Sequence, residues 1–281
     1  MTTQPHGAKA DPIEVDWSWT ASDDDWVPPE IDTSKPSTAR MYDYALGGKD
    51  NYAIDRQAVD KIAELLPDLK PVALANRGFM IRAVEALSRM GIDQFLDLGS
   101  GIPTSPNVHE VAGVHRATTK VVYVDNDPIV MTYNRALREP RPGVLALNHD
   151  MRAPATIFED PALRAHLDLE RPIGLLLVAV LHFVQRETRS RWSSSTAGCS
   201  HPGVTWRSRR SARTGWNRPG PTAGVGLSDL VLPADRADHR GGRAAVRGNR
   251  LIEPGLVDAT QWRNNETPLP IRILSGVGQV L

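Results

Sequence analysis

The sequence has little that would place the chain outside the cell or in a membrane. Cys199 is the single cysteine among 281 residues, so no internal disulfide can form and a reducing compartment is favoured. The longest apolar run, residues 174–184, is too short to span a bilayer. The polar N-terminus lacks the apolar core of a signal peptide. We therefore predict a soluble, cytoplasmic protein without a membrane partner.

An excess of one charge sign is also missing. Lysine and arginine total 33, aspartate and glutamate total 33, and the formal net charge is zero. This balance favours neither nucleic acid nor an anionic membrane as a partner. We predict no metal site. Apolar residues make up 41% of the chain, which is enough for a sizeable core.

The first 91 residues divide into a tail and a helical segment. Residues 1–30 are polar and acidic, which predicts a disordered tail. Segment 31–91 then shows helical spacing. It is predicted to form three helices. The first ends near Leu46, the second covers about Asp55–Leu66, and the third covers about Val72–Met90.

Short apolar strands alternate with helices over residues 92–184. The predicted strands are Phe95–Leu98, Val121–Val124, Val144–Leu147 and Leu175–Val184. Strands that alternate with helices predict an α/β fold with a parallel sheet, helices on both faces and right-handed crossovers.

Three polar features follow the first three strands, where parallel sheets bind their ligands. Asp97 precedes the turn Gly99-Ser100-Gly101, whose glycines let the backbone approach a ligand closely. Asp125 ends the second strand, and a carboxylate there can accept both ribose hydroxyls. Asp150 and Met151 follow the third strand, and could bond an adenine amino group and pack on its ring. Together these features predict a nucleotide-like cofactor.

The details of the glycine turn favour S-adenosylmethionine over NAD. Pro103 follows the turn where a dinucleotide fingerprint has its third glycine, and no triphosphate-binding loop is present. Asp97 suits the ammonium group of a methionyl moiety better than a pyrophosphate.

Several long stretches resemble an actinobacterial family of S-adenosylmethionine-dependent methyltransferases. They are SKPSTARMYDYALGGKDNYAIDR (34–56), ALANRGFMIRAV (73–84), QFLDLGSGIPTSPNVHEVA (94–112), VVYVDNDPIV (121–130) and LLLVAVLHFV (175–184). Segment 251–278 resembles the C-terminal strands of that family, which we extend to residue 281. The resemblance implies a class I, Rossmann-like sheet of seven strands with 92–184 as the cofactor-binding core and 31–91 as a helical cap. The predicted cofactor-binding residues are Asp97, Gly99, Ser100, Gly101, Asp125, Asn126, Asp150 and Met151.

Three further assignments leave alternatives open. Segment Tyr42–Tyr52 resembles a lid over the cofactor, but Gly47 and Gly48 would equally end a helix in a turn. Arg77 either contacts the methionyl carboxylate or is a solvated helix residue. His182, which ends the predicted fourth strand, is the catalytic candidate as a general base. Its alternative is a hydrogen-bonded structural histidine.

Segment 185–250 departs from the family and from the strand–helix rhythm. It holds thirteen arginines and no lysine, against fourteen arginines and six lysines elsewhere. A frameshifted reading of GC-rich DNA is the favoured interpretation, and a basic insertion and disorder are the alternatives. Without a fifth strand here, the fourth strand would keep an unpaired edge and the C-terminal part would be irregular.

The leading functional hypothesis is transfer of a methyl group from S-adenosylmethionine to a small-molecule acceptor. One alternative is an inactive remnant of such an enzyme. Another is a protein that binds RNA or a partner through the arginine-rich segment, whose tryptophans could stack on bases. The neutral chain and the lack of a nucleic-acid module disfavour the RNA alternative.

Overall fold

The computed structural model describes residues 32–180, 224–233, 249–264, 266–267 and 271–280. For 224–233, 249–250 and 271–280 the description covers the backbone, together with the side chains of Ser275 and Val277. The predicted tail 1–30 and most of segment 185–250 lie outside the described residues. The tail, the frameshift and the disorder therefore stay predictions.

Three helices precede the sheet, as the apolar spacing predicts. They are α1 (Thr38–Ala45), α2 (Ala53–Leu65) and α3 (Leu69–Arg89). Ser37 is the N-cap of α1, and at α2 the Asp55 carboxylate accepts the backbone N–H of Tyr52, the N-cap residue, at 2.9 Å. The apolar stripe of α3, which includes Phe79 and Leu87, is buried against the sheet.

The first four strands form the parallel part of one sheet. They are β1 (Gln94–Leu98), β2 (Lys120–Asp125), β3 (Val144–Asn148) and β4 (Gly174–Val178). β1 pairs with β2 on one side and β4 on the other, and β2 pairs with β3, all in parallel. β1 is buried along its whole length, as expected for a central strand with both faces covered. The predicted α/β fold is confirmed.

The C-terminal strands complete this sheet, contrary to the predicted disruption. They are β5 (Gly224–Pro233), β6 (Asn249–Leu251), β7 (Val257–Asp258) and β8 (Ile271–Val280). β5 pairs in parallel with β4, and β8 runs antiparallel to β5 and β6. The strand order is β3-β2-β1-β4-β5-β8-β6, with β7 also paired to β8. The expected unpaired edge on β4 is therefore wrong, and the described residues form eight strands of the sheet where seven were expected.

Four shorter helices connect the first four strands. They are α4 (Val108–Gly113), α5 (Pro128–Leu137), α6 (Pro154–Glu159) and α7 (Pro161–His166). Two apolar clusters cover the two faces of the sheet: one includes α3 and α4, and the other includes α6 and α7. In the part of the chain that the structure describes, no helix is both long and apolar enough to cross a membrane.

The segment between β7 and β8 is anchored on α3. The Trp262 ring is fully buried and meets the Phe79 ring edge-on at a centroid distance of 5.3 Å. Nε of Arg82 donates to the Trp262 carbonyl at 2.8 Å. These contacts fix residues distant in sequence against the helix that precedes β1.

Candidate active site

A cavity of about 630 Å³ opens at the carboxyl ends of the parallel strands. Its size lies within the ordinary range for small-molecule sites. All eight residues that the sequence predicts for cofactor binding line it. The glycine turn after β1 and the carboxylates after β2 and β3 thus converge at one edge of the sheet, as the topology of parallel strands requires.

The turn after β1 is held against the neighbouring strand. The backbone N–H groups of Gly99 and Ser100 both donate to the Val124 carbonyl, at 2.8 and 3.1 Å. Gly99 has φ +69°, and a Cβ there would lie 2.3 Å from Cγ1 of Val180. Only glycine fits this position, because a side chain would meet both a left-handed backbone and a neighbouring residue.

Asp125 connects the two loops that border the cavity. Its Oδ2 accepts the N–H of Gly101 at 2.9 Å, and its Oδ1 accepts the N–H of Asp127 at 3.0 Å. Burial raises the pKa of Asp125, and these two backbone bonds act in the opposite direction. A carboxylate offers about four lone-pair sites, so Asp125 retains acceptor capacity toward a ligand.

Asp97 is the most perturbed carboxylate of the cavity. The residue is 8% exposed, and its side chain accepts no hydrogen bond from any residue the structure describes. Burial raises the pKa of Asp97 to about 6, although the charges of Arg138 and Arg77 oppose that shift. A buried carboxylate that lacks a protein donor is suited to a cationic or hydrogen-bonding ligand group.

Arg138 is a site-supporting residue that the sequence does not predict. It is 1% exposed, and both Nε and Nη2 donate to Oδ1 of Asn107, at 3.2 and 3.0 Å. Its guanidinium also lies 4.0 Å from the centre of the Tyr123 ring. Arg138 therefore supplies a fixed positive charge behind the glycine turn.

The loop after β3 contributes one ion pair and one histidine–carboxylate hydrogen bond beside the cavity. Asp150 accepts Nε and Nη2 of Arg152, at 2.8 and 2.5 Å from its Oδ2, and this pairing lowers the pKa of Asp150. Nε2 of His149 donates to Oδ2 of Asp160 at 2.7 Å. Met151 lines the cavity beside these pairs. The adenine contacts of Asp150 and Met151 stay predictions, with Arg152 as a neighbour that the sequence did not indicate.

Segment Tyr42–Tyr52 has features of both predicted alternatives, the lid over the cofactor and the turn that ends a helix. Tyr42 and Leu46 line the cavity, so the end of α1 forms part of the wall. Gly47 and Gly48 directly follow this end, as the turn interpretation expects. The following turn is tied to the body of the protein, because the Tyr133 hydroxyl donates to Oδ1 of Asp50 at 3.0 Å.

Arg77 lies at the cavity and is not a solvated helix residue. Its Nη2 donates to the carbonyl oxygens of Thr104 and Pro106 in the loop after β1. Its Nε is buried and has no hydrogen-bond partner among the described residues. Burial lowers the pKa of Arg77, which the charge of Asp97 partly offsets.

The catalytic candidate His182 lies outside the described residues, so its role stays a prediction. The predicted end of the fourth strand at Val184 is wrong, because β4 ends at Val178. Ala179 has φ +56°, a left-handed conformation that interrupts the extended backbone. Among the described residues, no group of three or more His, Cys, Asp or Glu side chains could hold a metal ion.

The chain is similar to a known protein family and to several solved structures. The profile of a family described as S-adenosyl methyltransferase matches residues 24–195. A DUF574 family protein from Streptomyces avermitilis is 31% identical with a TM-score of 0.75, over 90% of this chain and 100% of that one. A candidate methyltransferase from Thermobifida fusca is 33% identical with a TM-score of 0.73, over 92% and 99%. No curated protein matches. The comparisons support neither the inactive remnant nor the RNA- or partner-binding alternative.

Proposed function

The chain belongs to the S-adenosyl methyltransferase family, and from that membership we propose that it transfers a methyl group from S-adenosylmethionine to a small-molecule acceptor. The observation that supports the site assignment is the convergence of all eight predicted residues on one cavity at the carboxyl ends of the parallel strands. The cavity volume of about 630 Å³ favours a small acceptor.

Asp97 and Arg77 suit the zwitterionic end of the cofactor. Asp97 is buried without a protein donor in the described part of the chain, and the Nε of Arg77 is buried there without an acceptor. We assign Asp97 to the methionyl ammonium group and Arg77 to the methionyl carboxylate. Each ligand group would complete a bond that the described protein atoms leave unmade.

The remaining residues suit the adenosine end. Asp125 and Asn126, at the end of β2, are assigned to the ribose hydroxyls, and Asp150 and Met151 to the adenine. Gly99, Ser100 and Gly101 form a backbone surface that the ligand can approach closely. Ser100 is fixed because its hydroxyl accepts Nδ2 of Asn134 at 3.1 Å.

The chain's own contribution to the reaction is positioning and exclusion of water. A bound sulfonium supplies an electrophilic methyl group, so a base is needed only where the acceptor must lose a proton. His182 remains the proposed base. In this proposal segment 31–91 acts as a cap on the cofactor-binding core 92–184, and segment 251–281 completes the sheet.

Calorimetry with two ligands tests these assignments. S-adenosylhomocysteine carries the amino-acid group, and 5′-methylthioadenosine lacks it. Asp97→Asn should weaken S-adenosylhomocysteine binding by about 1.5–3 kcal/mol, the range for a hydrogen bond to a charged group, and leave methylthioadenosine binding within twofold. Asp125→Ala should weaken both ligands, because both carry the ribose.

Comparing the two ligands distinguishes the loss of one contact from the loss of the folded protein. A variant that is merely unfolded loses both, and melting curves detect it. If Asp97→Asn weakened both ligands equally, Asp97 would not contact the methionyl group. If the wild-type protein bound neither ligand, the proposed function would be wrong.

A further inference from the structure

The cavity described above has two chemically different parts. Residues 38–80, from α1, α2 and α3, contribute thirteen lining residues, of which ten are apolar. The strand-end loops contribute the charged part, including four carboxylates. The proposed cofactor contacts all lie in the loop part, apart from Arg77. The apolar part, which we call the helical wall, is therefore available to the other reactant.

Side chains of the helical wall retain apolar surface that protein does not cover. Met41, Leu46 and Leu69 are half-buried while they line the cavity, and Ile62 is 36% exposed. Val72 also belongs to the helical wall, and it is buried. Apolar surface inside a concave site is covered when an apolar ligand binds.

Three polar or charged residues of α1 and α3 also line the cavity, and two of them, Tyr42 and Arg77, make hydrogen bonds within the protein. The Tyr42 hydroxyl accepts Nδ2 of Asn76 at 2.9 Å and lies 3.4 Å from the Ala73 carbonyl oxygen. Arg77 donates to two backbone carbonyls. A nucleobase or a peptide group placed here would lose hydrogen bonds to water without a matching set in the protein.

Charge argues in the same direction. An anionic acceptor would lie beside the carboxylates of Asp97, Asp125, Asp127 and Asp150, and Arg152 is committed to Asp150. A charged acceptor of either sign would also be desolvated against apolar side chains, which is costly.

We propose that the methyl acceptor is an uncharged, largely apolar small molecule that binds against the helical wall with its nucleophilic atom toward the glycine turn. This inference rests on the proposed function. In the reaction the acceptor's lone pair forms the bond to the methyl carbon, sulfur keeps the electrons of the broken bond, and an acceptor that must lose a proton passes it to the proposed base.

Two fluorescent probes with one skeleton test the inference. N-phenyl-1-naphthylamine is uncharged, and 8-anilino-1-naphthalenesulfonate adds a sulfonate. In the presence of saturating S-adenosylhomocysteine, the uncharged probe should bind saturably with one site and at least tenfold more tightly than the sulfonate. Equal affinities, or the absence of saturable binding, would overturn the proposal.

A pair of variants on α2 locates the probe. Ile62→Asp places a carboxylate in the helical wall and should weaken the uncharged probe at least tenfold, with S-adenosylhomocysteine affinity unchanged within twofold. Leu65→Asp adds the same charge one turn away, at a residue that is 82% exposed and does not line the cavity, and should change neither affinity. Equal effects of the two variants on the probe would refute the assignment.

The two proposals fail in different ways. If the wild-type protein bound no S-adenosylhomocysteine, the proposed function would be wrong. The probe titration on the ligand-free protein would still decide whether the helical wall binds apolar molecules.

Discussion

Asp97→Asn should make the folded protein more stable, although it removes a proposed ligand contact. Burial raises the pKa of Asp97 from its ordinary 3.8 to about 6 in the folded state. The charged form is therefore disfavoured by folding, and asparagine resembles the neutral form in shape. With about 1.4 kcal/mol per pKa unit, the shift corresponds to about 3 kcal/mol at pH 8. This net figure already includes the favourable charges of Arg138 and Arg77.

The sign of the pH dependence follows from the raised pKa. The folded state binds the Asp97 proton more tightly than the unfolded state does. The ionised Asp97 carboxylate therefore destabilises the folded state by its full amount above pH 6. This destabilisation shrinks as the pH falls through 6 toward 3.8, and about half of it should remain at pH 5. The advantage of Asp97→Asn over the wild type should therefore halve between pH 8 and pH 5.

Urea denaturation followed by circular dichroism measures this difference at both pH values. Effects of other carboxylates cancel when the variant and the wild type are compared at one pH. Glu64→Gln, at an exposed position of α2, is the matched control and should change stability little. A variant no more stable than the wild type at pH 8, or a difference independent of pH, would refute the reasoning.

Two further predictions test the glycine turn and the C-terminal anchor. Gly99→Ala should cost about 3 kcal/mol of folding stability, because it combines a left-handed backbone with a steric overlap. Gly101→Ala should cost about 1 kcal/mol, because its backbone is also left-handed but no atom lies within 4 Å of its Cβ position. Chemical denaturation compares them, and equal losses would contradict the steric argument. Trp262→Ala should cost about 3–5 kcal/mol as a buried aromatic truncation. A loss below about 1 kcal/mol in the same assay would mean that the C-terminal segment does not pack on α3.

The parallel half of the fold was predictable because its signals are local. β1, β2 and β3 are short apolar runs, and each has a glycine or a carboxylate at its end or within two residues after it. β5 was missed although its apolar run, Val225–Leu232, is visible. Its strand state depends on pairing with β4 and β8, and the surrounding arginine-rich composition gives no hint of that pairing.

A site residue was predictable where its position in a strand or turn marks it, and unpredictable where its role depends on residues distant in sequence. Asp125 ends a strand, and that position alone points toward the cavity. Arg138 follows an amphipathic helix, and nothing local distinguishes it from a solvated arginine. Its burial depends on Asn107, 31 positions earlier in the chain. Helices α6 and α7 have six residues each, which is too short for an apolar period to be recognised.

The position of β8 inside the sheet has a consequence for how the protein is made. β8 is the last strand of the sequence, yet it lies between β5 and β6 and pairs with both. A nascent chain that lacks Ile271–Val280 would leave β5 with an open edge and β6 with no neighbour. Closure of the sheet must then await synthesis of β8, and during that interval the half-built sheet is open to chaperones, proteases and other nascent chains.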